Sequence, residues 1–394
     1  MSGAVLYISY DGMLEPLGQS QVLAYLERLA GGGPIHLISF EKPEDWARGE
    51  ERAAVVRRMA AAGIAWRPLR YHKRPSALAT AYDIACGIVV GTYLAFRHRV
   101  AIVHARSYVA SVMALAIKRL TGARYLFDMR GFWADERVEG GIWPAGGRLY
   151  KLAKGFERRF LLRADAVVSL THAAVAELAA YPYLRGRMPP TRVIPTCADL
   201  DRFRPPPEAP AGPFTLGYVG TVGNWYDFQR SAALFKQLAA LRPGARFLVV
   251  NRGEHELIHR TLAAAGVETD SYSVRAADFE DVPGLMGQMS AGILIARPAY
   301  SHIARAPTKL AEFLGCGVPC LVGGGVGDVD PLIAGNRVGV VLEHAPNDQR
   351  AVETLAALAE DPAVRARCVE TAAREFSLEF GVAAYDEIYR DLGA

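Results

Sequence analysis

Cysteine is scarce in this 394-residue chain. The five that occur, Cys86, Cys197, Cys316, Cys320 and Cys368, are odd in number and scattered. That excludes a disulfide framework and points to a reducing compartment, the cytoplasm. Cys316 and Cys320 stand in CGVPC, but the second falls in a buried-strand pattern and no other Cys/His pair matches it. Core packing is expected there, not a metal site. A charge excess is also lacking: 45 Lys and Arg meet 41 Asp and Glu. So small an excess gives no basis for a nucleic-acid partner, while it suits a phosphate-bearing substrate or an anionic membrane surface. No window reaches about 18 uninterrupted apolar residues. The nearest stretch, Ala77 to Phe96, carries Asp83, and a buried or membrane-surface helix is expected. The N-terminus shows neither the basic region nor the apolar core of a signal peptide.

What the chain has in abundance is alternation. Short apolar runs begin at Val5, Ile35, Ala101, Arg124, Ala166 and Arg192. Between them lie helical patterns from Glu51 to Ala62, Ala77 to Phe96, Val109 to Leu120, Leu149 to Leu162 and Ala173 to Ala180. Continuously apolar strands separated by helices predict a parallel sheet covered on both faces. RFRPPPEAPAGP, Arg202 to Pro213, resists helix and sheet and reads as a linker. The rhythm then resumes with runs at Thr215, Arg246, Ala291, Val318 and Val338. The expected fold is α/β, with two doubly wound Rossmann-like domains facing a central cleft: residues 1–206, then 207–375, with a closing helix of about 376–394 packing back on the first domain. Ligands of such sheets sit at the carboxyl ends of the strands, so the loops there are the candidate site.

Four loops qualify. YDGMLEPLGQS leaves the first strand, and its Gly18 either lets a ligand approach a helix N-terminus or makes a tight turn. FDMRGFWADE, from Phe127, gathers Asp128, Arg130, Trp133, Asp135 and Glu136 at a strand end. GYVGTVGNWYDF, from Gly217, makes a glycine-rich strand exit with Gly220, Thr221, Gly223 and Asn224, and Arg252 follows the next strand. The most informative is ILIARPAYSHIARAPTKLAEFLGCGVPCLVGGGVGD. Here a strand ends at Arg297, and Pro307 opens a helix with Thr308 and Lys309 in its first turn and Glu312 in its second. A helix N-terminus flanked by Arg297, Arg305 and Lys309 would suit a diphosphate. The close pair Asp328 and Asp330 follows the last glycine run and reads as a loop and helix cap.

TKLAEFLGCGVPCLV resembles the nucleotide-sugar signature of retaining, family-4-type glycosyltransferases with the GT-B fold. DGMLEPLGQSQVLAYLERLA, VHARSY, CADLDRFRP and DEIYRDL resemble further segments of that family, so the likeness runs over nearly the whole chain. It implies transfer of a sugar from a nucleoside diphosphate donor, with UDP or GDP as the expected base, to a glycan or lipid-linked acceptor in polysaccharide biosynthesis. It also implies retention, no cofactor and no obligatory metal. Its carry-over puts the donor on Gly220, Thr221, Gly223, Asn224, Thr308, Lys309, Leu310 and Glu312, and with the family's usual cations missing, Arg252, Arg297 and Lys309 are the candidates for its diphosphate. It puts catalysis near Asp128, Arg130 and Gly18, and the acceptor near Gln19, Trp133, Glu136 and Arg106. Three departures stand out. The first of the family's paired glutamates falls on Ala304, the basic pair of the GTVGNWYDF loop is absent, and Asp128 or Arg130 stands where a histidine is usual. A nucleotide-sugar epimerase and a catalytically silent binding protein of the same fold are the alternatives. A basic cluster of Arg67, Arg70, Lys73 and Arg74 before the apolar helix adds an expected peripheral contact with the inner face of the cell membrane.

Overall fold

A computed structural model describes residues 3–74, 76–208, 212–223, 225–342 and 348–393. The chain divides into two compact units, Met1–Pro195 with Leu378–Ala394, and Thr196–Ser377. The division falls ahead of the proline-rich run taken as the linker. The reason is that Ala198 and Phe203 are buried in the second unit's core.

The first unit is built on strands β1 (Ala4–Ser9), β2 (Ile35–Glu41), β3 (Ile64–Arg70), β4 (Val100–Arg106), β5 (Arg124–Asp128), β6 (Ala166–Ser169) and β7 (Thr191–Val193). Their order in the sheet is β3-β2-β1-β4-β5-β6-β7, and every pair is parallel. The chain winds outward from β1 to β3, returns across the face in the helix Ser76–His98, and winds the other way from β4. The reversal between β1 and β4 is the switch point at which such sheets bind ligands. Every residue of β1 and β2 is buried, as the continuous apolar runs predict for a sheet covered on both faces.

The second unit repeats the plan with β8 (Thr215–Val219), β9 (Arg246–Val250), β10 (Tyr272–Arg275), β11 (Ala291–Leu294), β12 (Cys320–Gly323) and β13 (Gly339–Leu342), in the order β10-β9-β8-β11-β12-β13. The reversal lies between β8 and β11. Cys316 and Cys320 are buried in this core, and all five cysteines are free thiols.

Small residues set two close approaches in the first unit. In the helix Ser76–His98 a Cβ added at Gly87 would fall 2.4 Å from the Met113 sulfur, and one at Gly91 would fall 2.5 Å from Ile117 Cδ1. The helix therefore lies tight on its neighbour Ser107–Thr121. Gly18 makes the other. The sequence pattern starts the first helix near Gln21, yet the structure starts it at Pro16 and runs it through a π turn, Gln19–Leu23, into Ala24–Leu29. Gly18 thus sits inside the helix, where its added Cβ would lie 2.0 Å from the Gly12 carbonyl oxygen. Gly18→Val should therefore destabilise the first unit by about 1–3 kcal/mol or more through overpacking. Urea unfolding measures it, and a wild-type midpoint would contradict the packing argument.

Candidate functional site

In the first unit the strand ends at the reversal bring together Asp11, His104, Arg106, Asp128 and Arg130. His104 and Arg106 lie two apart on β4, so the pleat turns both to one face. Asp128 ends β5 and is buried. Its Oδ2 accepts a hydrogen bond from the Tyr385 hydroxyl at 3.0 Å and lies 3.7 Å from His104 Nε2. Its Oδ1 lies 3.8 Å from an Arg130 Nη. His104 Nδ1 is 2.7 Å from the Tyr389 hydroxyl, and the Tyr7 ring packs on the imidazole at 4.2 Å between centroids. Arg106 donates to Asp11. Tyr385 and Tyr389 come from the closing helix Leu378–Asp391, one turn apart on one face.

Arg130 is the unusual member. Its φ is +57°, in the left-handed region that costs a non-glycine residue free energy, and the preceding strand exit at Ser107 has φ +68°. Its side chain is only 10% exposed. At 3.8 Å the Asp128 oxygen is beyond hydrogen-bond range, so the guanidinium makes no hydrogen bond among the described residues. It retains its five donors for a ligand.

The charges sustain one another. Burial pushes the Asp128 carboxyl up, but Arg130, then His104 and Arg106, outweigh it and hold it below the usual carboxylate range. Burial pushes His104 down, against the pull of Asp128, so the imidazole is neutral at pH 7. Burial opposes the Arg130 charge, and Asp128 and the nearby tyrosines more than offset it.

The rest of FDMRGFWADE faces a different network. Trp133 stacks on Tyr108 at 5.4 Å and meets Trp143 edge-on at 5.1 Å. Lys154 bridges Asp135 at 3.1 Å and the wholly buried Glu157 at 2.6 Å, and Tyr108 donates to Glu157. Glu136 is half-buried in the helix Trp133–Glu139. Of the residues expected on the acceptor side, Arg106 stands with Asp128, Trp133 is half-buried beside Tyr108 and Trp143, and Gln19 accepts from Arg58 at 3.4 Å. Gly18, expected at closest approach to a donor, makes its close approach to the Gly12 backbone instead.

In the second unit the glycine-rich exit of β8 is pinned from both sides. Gly220 has φ +135°. The amides of Val222 and Gly223 donate to the Glu254 carboxylate at 2.9 and 3.2 Å. Asn251 Nδ2 donates to Glu254 and to the Gly220 carbonyl, each at 2.9 Å. On the β11 side, Arg297 N donates to Trp225 O and Asp227 N to Ile295 O, both at 2.9 Å. The loop amides expected to cradle phosphate thus already hold an anion of the chain itself. Thr221 is exposed beside them, and Asn224 lies outside the described residues.

The cations expected nearby have differing fates. Arg252 is exposed and held by Ala277 O at 3.0 Å and Asp278 at 3.2 Å. Arg297 is exposed beyond β11. Arg305 lies 4.7 Å over the Trp225 ring and 3.0 Å from His302 Nε2. Pro307 caps the helix Thr308–Gly315, and Thr308 opens it. Lys309 Nζ lies 2.5 Å from Glu312 Oε2. Glu312 is buried, which pushes its carboxyl up with Lys309 opposing. This pair is not a surface ion pair, since one partner is inside the protein. Leu310, expected at the donor, is buried in the unit's core, and Ala304 is buried in the turn Tyr300–Ala304. Asp330 accepts from Gly325 N at 3.0 Å, a loop-fixing role.

Two units of this winding, each with polar groups at its switch point, make a two-unit doubly wound α/β architecture. Residues 26–202 match the family model of Glycosyltransferase Family 4, and the two-unit α/β architecture is that of the GT-B fold. Solved structures of similar fold include a glycosyltransferase from Rickettsia africae ESF-5, 15% identical with TM-score 0.71, covering 99% of this chain and 98% of that one. Anabaena HepE in complex with UDP and glucose is 13% identical, with TM-score 0.67 and coverage of 98% and 99%. WaaG, a glycosyltransferase involved in lipopolysaccharide biosynthesis, is 16% identical, with TM-score 0.64 and coverage of 98% and 99%. No curated protein matches in sequence.

Two outcomes follow from these contacts. Glu254→Ala removes a charged acceptor from two amides and should cost the second unit about 1.5–3 kcal/mol, read by chemical unfolding, with Glu254→Gln recovering part of the loss. Asp128 has a depressed carboxyl in the folded state. Its contribution is therefore full above the unfolded value of about 4 and fades as pH falls through the folded one. The stability gap between wild type and Asp128→Asn should be widest at neutral pH and narrow below about pH 4. A gap that widens on acidification would reverse the assignment.

Proposed function

We propose that the enzyme moves a hexose from a nucleoside diphosphate sugar to a glycan or lipid-linked acceptor, with retention at the anomeric carbon and without a metal ion. The observation that carries this reading is Arg130, a largely buried guanidinium that faces the Asp128 carboxylate at 3.8 Å with its donors unspent among the described residues. Donors preorganised toward developing negative charge are an effective means of stabilising a transition state. In the reaction the acceptor hydroxyl oxygen bonds the anomeric carbon as the bond to the diphosphate breaks on the same face, and the hydroxyl proton passes to the departing diphosphate oxygen. Arg130 meets negative charge that develops on the leaving side, and Asp128 compensates its buried charge and keeps it in place. Lys309 and Arg297 serve the diphosphate and Glu312 the ribose diol. The UDP and glucose of the HepE complex support a UDP-sugar donor, and the role of WaaG in lipopolysaccharide biosynthesis supports a lipid-linked acceptor. The same reading places the enzyme in the cytoplasm, with a peripheral seat on the inner membrane face.

Incubation with UDP- and GDP-sugars should release nucleoside diphosphate slowly by donor hydrolysis alone and much faster when acceptor is supplied. Sugar interconversion would indicate an epimerase, and binding alone a silent protein. Arg130→Lys, which keeps the charge but loses the fork of donors, should lower kcat by about 10²–10³ with little change in nucleoside diphosphate affinity. Lys309→Ala should weaken that affinity about ten- to a hundredfold, the equivalent of roughly 1.5–3 kcal/mol. Isothermal titration measures it, and wild-type binding would remove Lys309 from the donor site.

A further inference from the structure

The helix Ser76–His98 is apolar enough to cross a membrane by length and composition, with mean hydropathy 1.5 over its best window, yet only 28% of that window is buried. The exposure is not scattered. Leu78, Tyr82, Val89, Tyr93 and Phe96 are 72, 58, 70, 65 and 63% exposed. Their spacings of four, seven, four and three residues keep all five within about 60° around the axis. They form one continuous apolar stripe, too much to leave in water without a purpose.

The opposite face is committed. Gly87 and Gly91 bring the helix onto Met113 and Ile117, and Leu94 and Ala95 are buried. Asp83, the one acid of the helix, is turned inward and buried. It accepts from the Tyr10 hydroxyl at 2.9 Å and from His72 N at 3.1 Å, and its other oxygen lies 2.6 Å from His72 Nδ1. The helix is also the crossover from β3 to β4, so it cannot leave the unit to span a bilayer without dismantling the sheet. It can lie on a surface.

Charge says which surface. From Arg67 to Arg99 the chain carries six cations, Arg67, Arg70, Lys73, Arg74, Arg97 and Arg99, against Asp83 alone. All six are exposed, and they bracket the stripe at both ends. An apolar stripe with tyrosines and flanking Lys and Arg is suited to the boundary between headgroups and acyl chains of an anionic bilayer.

We propose that this face seats the first unit on an anionic lipid surface, with the helix Ser76–His98 lying in the plane of the headgroups. The seat stands on the stripe and its charges. Its use in presenting a lipid-linked acceptor rests on the function proposed above. Tyr10 is the first residue after β1, so the Asp83 contact ties the seated helix directly to the loop beside the candidate site. The enzyme's chemistry then proceeds within reach of the membrane that supplies the acceptor.

The test uses the full chain and no donor, so its result is independent of any transfer activity. Wild type, Val89→Glu/Tyr93→Glu and Lys73→Glu/Arg74→Glu are co-sedimented with phosphatidylcholine vesicles, with and without phosphatidylglycerol. Circular dichroism and light scattering report fold and mass. Wild type should bind only the anionic vesicles, less as salt rises. Each double variant should lose roughly tenfold or more in partitioning while remaining folded and monomeric. The proposal fails if wild type ignores anionic vesicles at low salt, or if both variants bind as wild type does. It fails equally if the wild type is a dimer that Val89→Glu/Tyr93→Glu dissociates, because a second copy would then cover the stripe.

Discussion

A carboxylate taken out of water must be met by charge or hydrogen bonds, or it takes up a proton. Asp128 is such a group, and the polar end of the first sheet is arranged around it. Tyr385 gives it a hydrogen bond, and Arg130, with Arg106, gives it field. The dependence runs both ways, since a guanidinium in a strained backbone position and largely shielded from solvent needs that same carboxylate to stay there. The closing helix matters for the same reason. By supplying Tyr385 and Tyr389 to Asp128 and His104 it makes the last residues of the chain a structural part of the first unit's polar centre.

The second unit solves a related problem with opposite sign. A glycine-rich turn exposes amides that seek an anion. In many phosphate sites the ligand supplies it; here Glu254 does, and Asn251 holds Glu254 in place. This accounts for a loop with no basic residue of its own between Gly220 and Phe228 that is nevertheless fixed on both sides. Lys309 is likewise committed within the chain, to the buried Glu312.

How much of this could be read from the chain varies with burial. The central strands were legible because both their faces are covered, which leaves an unbroken apolar run. The two strands that the pattern does not reveal, β3 and β10, are the equivalent outer strands of the two sheets. Each has one open flank and mixed exposure, and β3 carries Pro68, which an edge tolerates and an interior strand does not. Asp128, Arg130, Lys309 and Glu312 stood out because charge at a strand end or helix start is conspicuous. Glu254, Tyr385 and Tyr389 did not, because their partners lie 31, 257 and 285 residues away and leave no local pattern. Gly18 was noticed for the right property, close approach, but the object approached is its own chain.

The internal anion at the β8 exit has a kinetic consequence. Fixing a backbone residue costs about 1–2 kcal/mol of conformational entropy, and glycine loses the most freedom of all. With Glu254 and Asn251 holding Gly220, Val222 and Gly223, that cost is met when the unit folds and not when a ligand arrives. An incoming ligand meets a wall that is already rigid. Its rate of capture is then governed by diffusion and by the field of the exposed cations, with no step in which the loop must first condense around it.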